Sequence, residues 1–150
     1  MTAQFSDCLQ YNNERFSIYS EPLSSYLKTA DLPHPLVSPN TACWRGYTAS
    51  WAIENKKLFL VGWNGYILNY LQVGMDYLFP GEKVVFANWY NHSIYLPLGE
   101  LIMQFHGPSP LYQGDRILEF KNGILINEYD KYYTQEEIEE IIERCDDGFD

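Results

Sequence analysis

Four residues carry the chemistry this chain first offers: Trp44, Arg45, Tyr47 and His106. An arginine among aromatic rings stacks on them and can present its charge to an anionic group. On a strand, Arg45, Tyr47, Ala49 and Trp51 share one face, and Trp44, Gly46, Thr48 and Ser50 share the other. With Trp63 and Trp89, these rings line a sugar or peptide groove if they are exposed together, and fill a sheet core if they are buried. His106 follows an expected strand over 101–105 and precedes the turn residues Gly107-Pro108. Paired with Asp76 or Asp115 it would form a general acid–base pair; standing alone it is a structural hydrogen-bonder. His34, in a proline-marked loop, and His92, in an expected turn, read as solvated.

Dedicated catalytic patterns are missing. There is no G-x-G-x-x-G, no G-x-x-x-x-G-K-[ST] and no H-E-x-x-H. Gly107-Pro108-Ser109-Pro110-Leu111 begins like a nucleophile elbow, but it ends in leucine, and its two prolines forbid the strand-to-helix turn that the elbow requires. Cys8, Cys43 and Cys145 are odd in number, far apart and without zinc spacing, which suits reduced thiols in a cytoplasmic protein. No cofactor is implied. No signal peptide is visible at the N-terminus, and no apolar run reaches the 18 or so residues of a spanning helix. The sequon Asn91-His92-Ser93 is inert in that setting.

The net charge of −10 is concentrated at one end. Ten acids stand against two bases from residue 128 to residue 150, whereas ten acids and eight bases nearly balance over residues 1–127. An acidic field repels phosphate, which excludes nucleic acid and anionic membranes as partners and permits a basic protein. Glu136, Glu139, Glu140 and Glu143 are the candidate partner surface. The same acids also have a local reason to be there, because the first turns of a helix favour negative charge.

These residues must be positioned by strands. Aromatic residues make up 17% of the chain, with 13 Tyr, 8 Phe and 4 Trp, and such residues favour sheet. Five Asn-led pairs punctuate alternating apolar stretches: Asn12-Asn13, Asn55-Lys56, Asn64-Gly65, Asn91-His92 and Asn122-Gly123. Asn and Gly tolerate the positive φ of a two-residue type I′ turn, so each pair is expected to close a hairpin. In that register Ile53 faces Leu58, Trp89 faces Ile94, Phe120 faces Leu125 and Glu54 faces Lys57. Strands are expected over 44–53, 58–63, 66–71, 84–90 and 93–98, and a last hairpin over 116–129, with Pro97 placing its strand at an edge or bulge. The prolines at 22, 33, 35 and 39 mark a loop wrapped on the body, in which Ser24 to Thr29 can form one helical turn. Residues 74–79 read as a short helical turn or an irregular edge, followed by a Pro80-Gly81 turn. The chain should end in a helix over 134–146. Thr134 and Glu137 form its capping box, and Ile138, Ile141, Ile142 and Cys145 form a stripe that packs on the sheet.

Cys43-Trp44-Arg45-Gly46-Tyr47, Trp51, Asp76-Tyr77-Leu78-Phe79-Pro80-Gly81, Val85-Phe86-Ala87-Asn88-Trp89-Tyr90 and Gly99 together resemble a family of small bacterial proteins of unknown function. The resemblance runs from the first hairpin to the last. It implies a bacterial, cytoplasmic setting and transfers no catalytic residue. The chain departs from the family pattern at His92, where the family favours glycine, and around Gly107-Pro108-Ser109-Pro110; both departures fall in turns.

The expectation is one domain over 1–150: a mainly-β, hairpin-rich antiparallel sheet or partly closed barrel over 7–129, with a C-terminal acidic amphipathic helix (alternatively, an α+β arrangement). The leading functional expectation is a non-enzymatic binding or accessory protein, immunity-like, that masks a basic partner. The rivals are a small-molecule protein or small enzyme using the Trp44, Arg45, Tyr47 and His106 cluster, and a homodimer through an edge strand.

Overall fold

Three of the five Asn-led pairs close hairpins in the computed structural model, which describes residues 5–40, 42–43, 45–103 and 110–147. Asn12 and Asn13 (φ 51° and 64°) join β1 (Asp7–Tyr11) to β2 (Glu14–Ile18). Asn55 and Lys56 (φ 50° and 63°) join β3 (Tyr47–Glu54) to β4 (Lys57–Ile67). Asn122 and Gly123 (φ 51° and 77°) join β8 (Leu111–Lys121) to β9 (Ile124–Tyr132). The expected pairs Ile53–Leu58, Glu54–Lys57 and Phe120–Leu125 are in register.

The other two pairs are not hairpin turns. Asn64 and Gly65 lie inside β4, opposite Thr48 and Tyr47. The indole of Trp63 lies across Gly65, where a Cβ would come within 2.3 Å of its ring. The glycine therefore serves ring packing rather than chain reversal. The reversal comes later, at Leu68–Tyr70, with Asn69 and Tyr70 at φ 61° and 59°, and β5 (Leu71–Val73) folds back on the end of β4. The expected strand over 66–71 is thus split between β4, a turn and β5.

At Asn91-His92 the expected hairpin is replaced by a crossing. The short β6 (Val85–Phe86) pairs with β4, while β7 (Ser93–Met103) pairs with β8, so Trp89 does not face Ile94. Asn91 instead accepts the Asn122 N–H at 2.8 Å, and the Tyr90 carbonyl accepts the Gly123 N–H at 2.9 Å. The segment is held beneath the β8–β9 turn by bonds between residues about 30 positions apart.

The strands form one open sheet in the order β2-β1-β3-β4-β9-β8-β7, with β5 and β6 also on β4. An all-antiparallel sheet was expected, but β1 runs parallel to β3. Parallel neighbours need a long crossover. Here the proline-marked segment supplies it and carries α1 (Ser24–Thr29). The edge strands β2 and β7 approach within 8 Å Cα–Cα without a ladder, so the sheet curls but does not close into a barrel. Pro97 lies on the edge strand β7, as a residue without an N–H must.

The core lies on the concave side: Leu9, Tyr47, Ala49, Trp51, Ile53, Leu58, Leu60, Trp63, Ile94, Leu96, Leu118 and Phe120 are all buried. A bulge at Val61 and another at Ile126 each insert one residue and bend their strands, which maintains the curl. Residues 74–79 contain the helical turn α2 (Met75–Leu78), and the Glu82 N–H closes the Pro80-Gly81 turn on the Phe79 carbonyl at 3.0 Å.

The C-terminal helix α3 (Gln135–Asp147) begins with the expected capping box. Thr134 Oγ1 accepts the Glu137 N–H at 3.2 Å, and Glu137 accepts the Thr134 N–H at 3.1 Å. Its stripe does not enter the core: Ile138, Ile141 and Ile142 are only half-buried. The Cys145 side chain and Gly148 lie outside the described set.

Candidate functional site

Arg45 has its partners within the chain. β1 begins with Asp7, whose alternation with Leu9 points it inward, leaving it 1% exposed. Its carboxylate accepts from the Arg45 guanidinium, from the Trp51 indole at 3.0 Å and from the Ala49 N–H at 3.2 Å. Glu21 takes a second guanidinium nitrogen at 3.1 Å, and the group lies 4.4 Å over the Tyr47 ring. The cluster thus clamps β1, the segment before α1 and the entry to β3. Burial pushes the Asp7 carboxyl above its usual range, with the Arg45 charge the largest opposing influence. Burial likewise pushes the Tyr47 phenol far up, so it stays neutral. A ligand anion at Arg45 would compete with Glu21.

The rings are mainly structural. Trp51 and Trp63 are buried; Trp89 is half-buried and donates to the Pro22 carbonyl at 2.8 Å. Tyr47, Trp63 and Tyr77 stack in series, and the Tyr77 hydroxyl donates to the His34 carbonyl at 2.7 Å. His34 is exposed, as read from sequence, while its backbone is tied to α2 through Tyr77. Trp44, His106 and the Gly107-Pro108-Ser109 segment lie outside the described residues. Of the four first candidates, the structure therefore brings together Arg45 and Tyr47.

The second candidate surface is on β9 and α3. β9 pairs with β8 along its whole length, but with β4 only at Ile124. Beyond that point the chain is exposed, with Ile126 at 60%, Tyr129 at 42% and Tyr132 at 62%. Arg116 on β8 grips Asp130 through two bonds (2.8 and 3.2 Å) and lies 3.8 Å from Glu128, which also accepts the Tyr11 hydroxyl at 2.8 Å. Hydrogen bonding from Arg116 holds the Asp130 carboxyl below its usual range. On the opposite face of β9, Tyr95, Ile117 and Tyr129 form a cross-strand row. The Tyr133 hydroxyl donates to Asp115, and burial followed by that carboxylate raises its pKa.

Helix α3 starts from this surface. Lys131 reaches Glu137 at 3.3 Å, and the Thr134 backbone amide, then Lys131, hold the Glu137 carboxyl low. Glu136, Glu139, Glu140 and Glu143 are all exposed. The four expected partner-surface residues thus lie on solvent, with Glu128 and Asp130 on the strand that leads into their helix.

Sequence reasoning missed Asp7, Glu21 and the β9 edge. An acid in a core-facing strand position is a signal for Asp7, since a buried charge needs a buried partner. Nothing local marks the β9 edge, because its exposure depends on where β4 stops pairing. Among the described residues, no three His, Cys, Asp or Glu side chains gather as a metal site. No family model, no curated protein and no solved structure matches the chain.

Proposed function

We propose that this chain is a non-enzymatic binding protein of the bacterial cytoplasm whose β9–α3 surface receives a basic protein partner, in the manner of an immunity protein masking an effector. The observation that carries this reading is the exposed row Glu136, Glu139, Glu140 and Glu143 on a helix that leads directly from an incompletely paired strand. Of the two bases in residues 128–150, Lys131 is already engaged by Glu137, so the surface keeps its negative surplus. Complementary charge steers encounter and sets specificity against wrong partners. The resemblance to small bacterial proteins and the free thiols Cys8 and Cys43 support the cellular setting. No helix among the described residues is long and apolar enough to cross a membrane.

The test is the salt dependence of binding to a lysine-rich peptide. Exposed charges are screened over about 10 Å at 0.1 M salt. Affinity should therefore fall about tenfold between 0.05 and 0.5 M salt, and fall similarly at low salt when Glu136, Glu139, Glu140 and Glu143 are changed to Gln. Affinity indifferent to both would end this reading. The small-molecule alternative at Arg45 and Tyr47 is weaker, because Asp7 and Glu21 already occupy the guanidinium.

A further inference from the structure

We infer that the partner is taken up as an added β-strand along the outer edge of β9, from Glu128 to Tyr132. This rests on the basic-partner reading above and names its mode.

The geometry comes from the β8–β9 ladder. Tyr133 donates its N–H to the Gln113 carbonyl at 2.9 Å. The same register pairs Lys131 with Asp115, Tyr129 with Ile117 and Asn127 with Glu119. In an antiparallel ladder every second residue turns its N–H and C=O to the neighbouring strand, and the residues between turn theirs away. Asn127, Tyr129 and Lys131 therefore bond β8, and Glu128, Asp130 and Tyr132 direct their backbone groups outward. The Glu128 N–H is accepted by Asn127 Oδ1 at 3.0 Å. Among the described residues, nothing accepts the N–H of Asp130 or Tyr132, and no strand pairs β9 beyond Ile124.

An open strand edge is a template for another chain, and proteins blunt such edges with charge and bulges. β9 has both: the bulge at Ile126 and the acids Glu128 and Asp130. These features also select the occupant. A second copy of this chain, paired antiparallel about Asp130, would set Asp130 against itself, and like charges directly opposite are destabilising. An extended segment with Lys or Arg at alternate positions would instead face Glu128 and Asp130, two carboxylates that share the single charge of Arg116, and then run toward the acids of α3. Main-chain bonds would supply affinity and the alternate side chains specificity, as in other strand additions.

The test uses the full chain, isotope-labelled, and three decapeptides that alternate lysine with threonine. One is unmodified, one is N-methylated at every lysine, and one at every threonine. Charge is the same in all three. In the inferred pairing, which is antiparallel, the lysines oppose Glu128 and Asp130 and turn their own N–H groups toward β9, whereas the threonine N–H groups face away.

The unmodified and threonine-methylated peptides should bind alike at low salt and slow exchange of the Asp130 and Tyr132 amides at least tenfold. The lysine-methylated peptide should bind at least tenfold more weakly and protect neither amide. Equal binding of all three without that protection would overturn strand addition while leaving charge-driven binding standing. No binding of the unmodified peptide would overturn both. A dimer in sedimentation, with Asp130 and Tyr132 protected without peptide, would assign the edge to a second copy and overturn the inference.

Discussion

Replacing Arg45 with Met tests the clamp that positions β1 against β3. Asp7 has a fully buried side chain, and among the described residues Arg45 is its only cationic contact, itself 18% exposed. Removing one member of a buried ion pair costs about 3–5 kcal/mol, because the other charge is left in a low-dielectric site. Asp7 would keep the Trp51 and Ala49 donors, and Arg45 is partly solvated, so the lower end applies: about 3 kcal/mol. For a chain of this size that corresponds to a fall in Tm of about 6–12 °C. Asp7→Asn should cost about 1–3 kcal/mol, since an amide offers one acceptor to three donors and leaves buried groups unsatisfied.

The double variant should recover about 2 kcal/mol relative to the sum of the two, because the stranded charge disappears. Urea denaturation followed by tryptophan fluorescence gives all four stabilities, and Trp51 reports directly on the site. The dependence on pH adds a sign. Asp7 has a raised folded pKa, and removing Arg45 removes the largest influence that lowers it. An acid that binds its proton more tightly when folded gains stability as pH falls through its folded pKa. The Arg45→Met protein should therefore regain stability, relative to the native chain, as pH falls through the raised folded pKa toward the ordinary carboxylate value of 3.8. A cost under about 1 kcal/mol, or strict additivity in the double variant, would refute the clamp.

Other perturbations separate local from global roles. Glu137 and Asp130 have folded pKa values below their ordinary 4.5 and 3.8, so the stability they confer is present above those values and lost as pH falls through the lower folded ones. Helical circular dichroism from α3 should decline below about pH 4 while tryptophan emission from the core stays native. Thr134→Ala should cost about 1 kcal/mol locally, seen as faster amide exchange in α3 with β3 and β4 unchanged. Lys56→Gly should stabilise the protein by about 0.5–1 kcal/mol, because φ 63° is natural for glycine and the side chain is exposed. Gly65→Ala should cost about 1–3 kcal/mol in thermal unfolding through collision with Trp63. A neutral result there would mean that the glycine does not serve ring packing.

Much of the fold was legible where structure is local. The turns at Asn12-Asn13, Asn55-Lys56 and Asn122-Gly123 form because two adjacent residues tolerate positive φ and the flanking apolar positions agree in register. The same signal misled at Asn64-Gly65, where β4 must extend to match the eight residues of β3, and at Asn91-His92, where Asn91 binds a distant turn. The parallel β1–β3 pairing was hidden because no local pattern distinguishes a crossover from a wrapped loop. At the candidate sites, Arg45 and Tyr47 were visible as residue types, but Asp7 lies 38 positions before Arg45 and only folding brings them together. The acids of α3 were fully visible, because charge runs and capping boxes are written within a few residues. The open β9 edge was not, because it depends on which strands stop pairing.

The most direct test of the account is charge reversal on α3. Glu136, Glu139, Glu140 and Glu143 would be changed together to Lys in the full chain, and binding to the unmodified lysine–threonine peptide measured by calorimetry at low salt. The account predicts that the native chain binds and that reversal lowers affinity at least a hundredfold, about 2.7 kcal/mol, with circular dichroism of the sheet unchanged. Undiminished affinity for the basic peptide after reversal would contradict it.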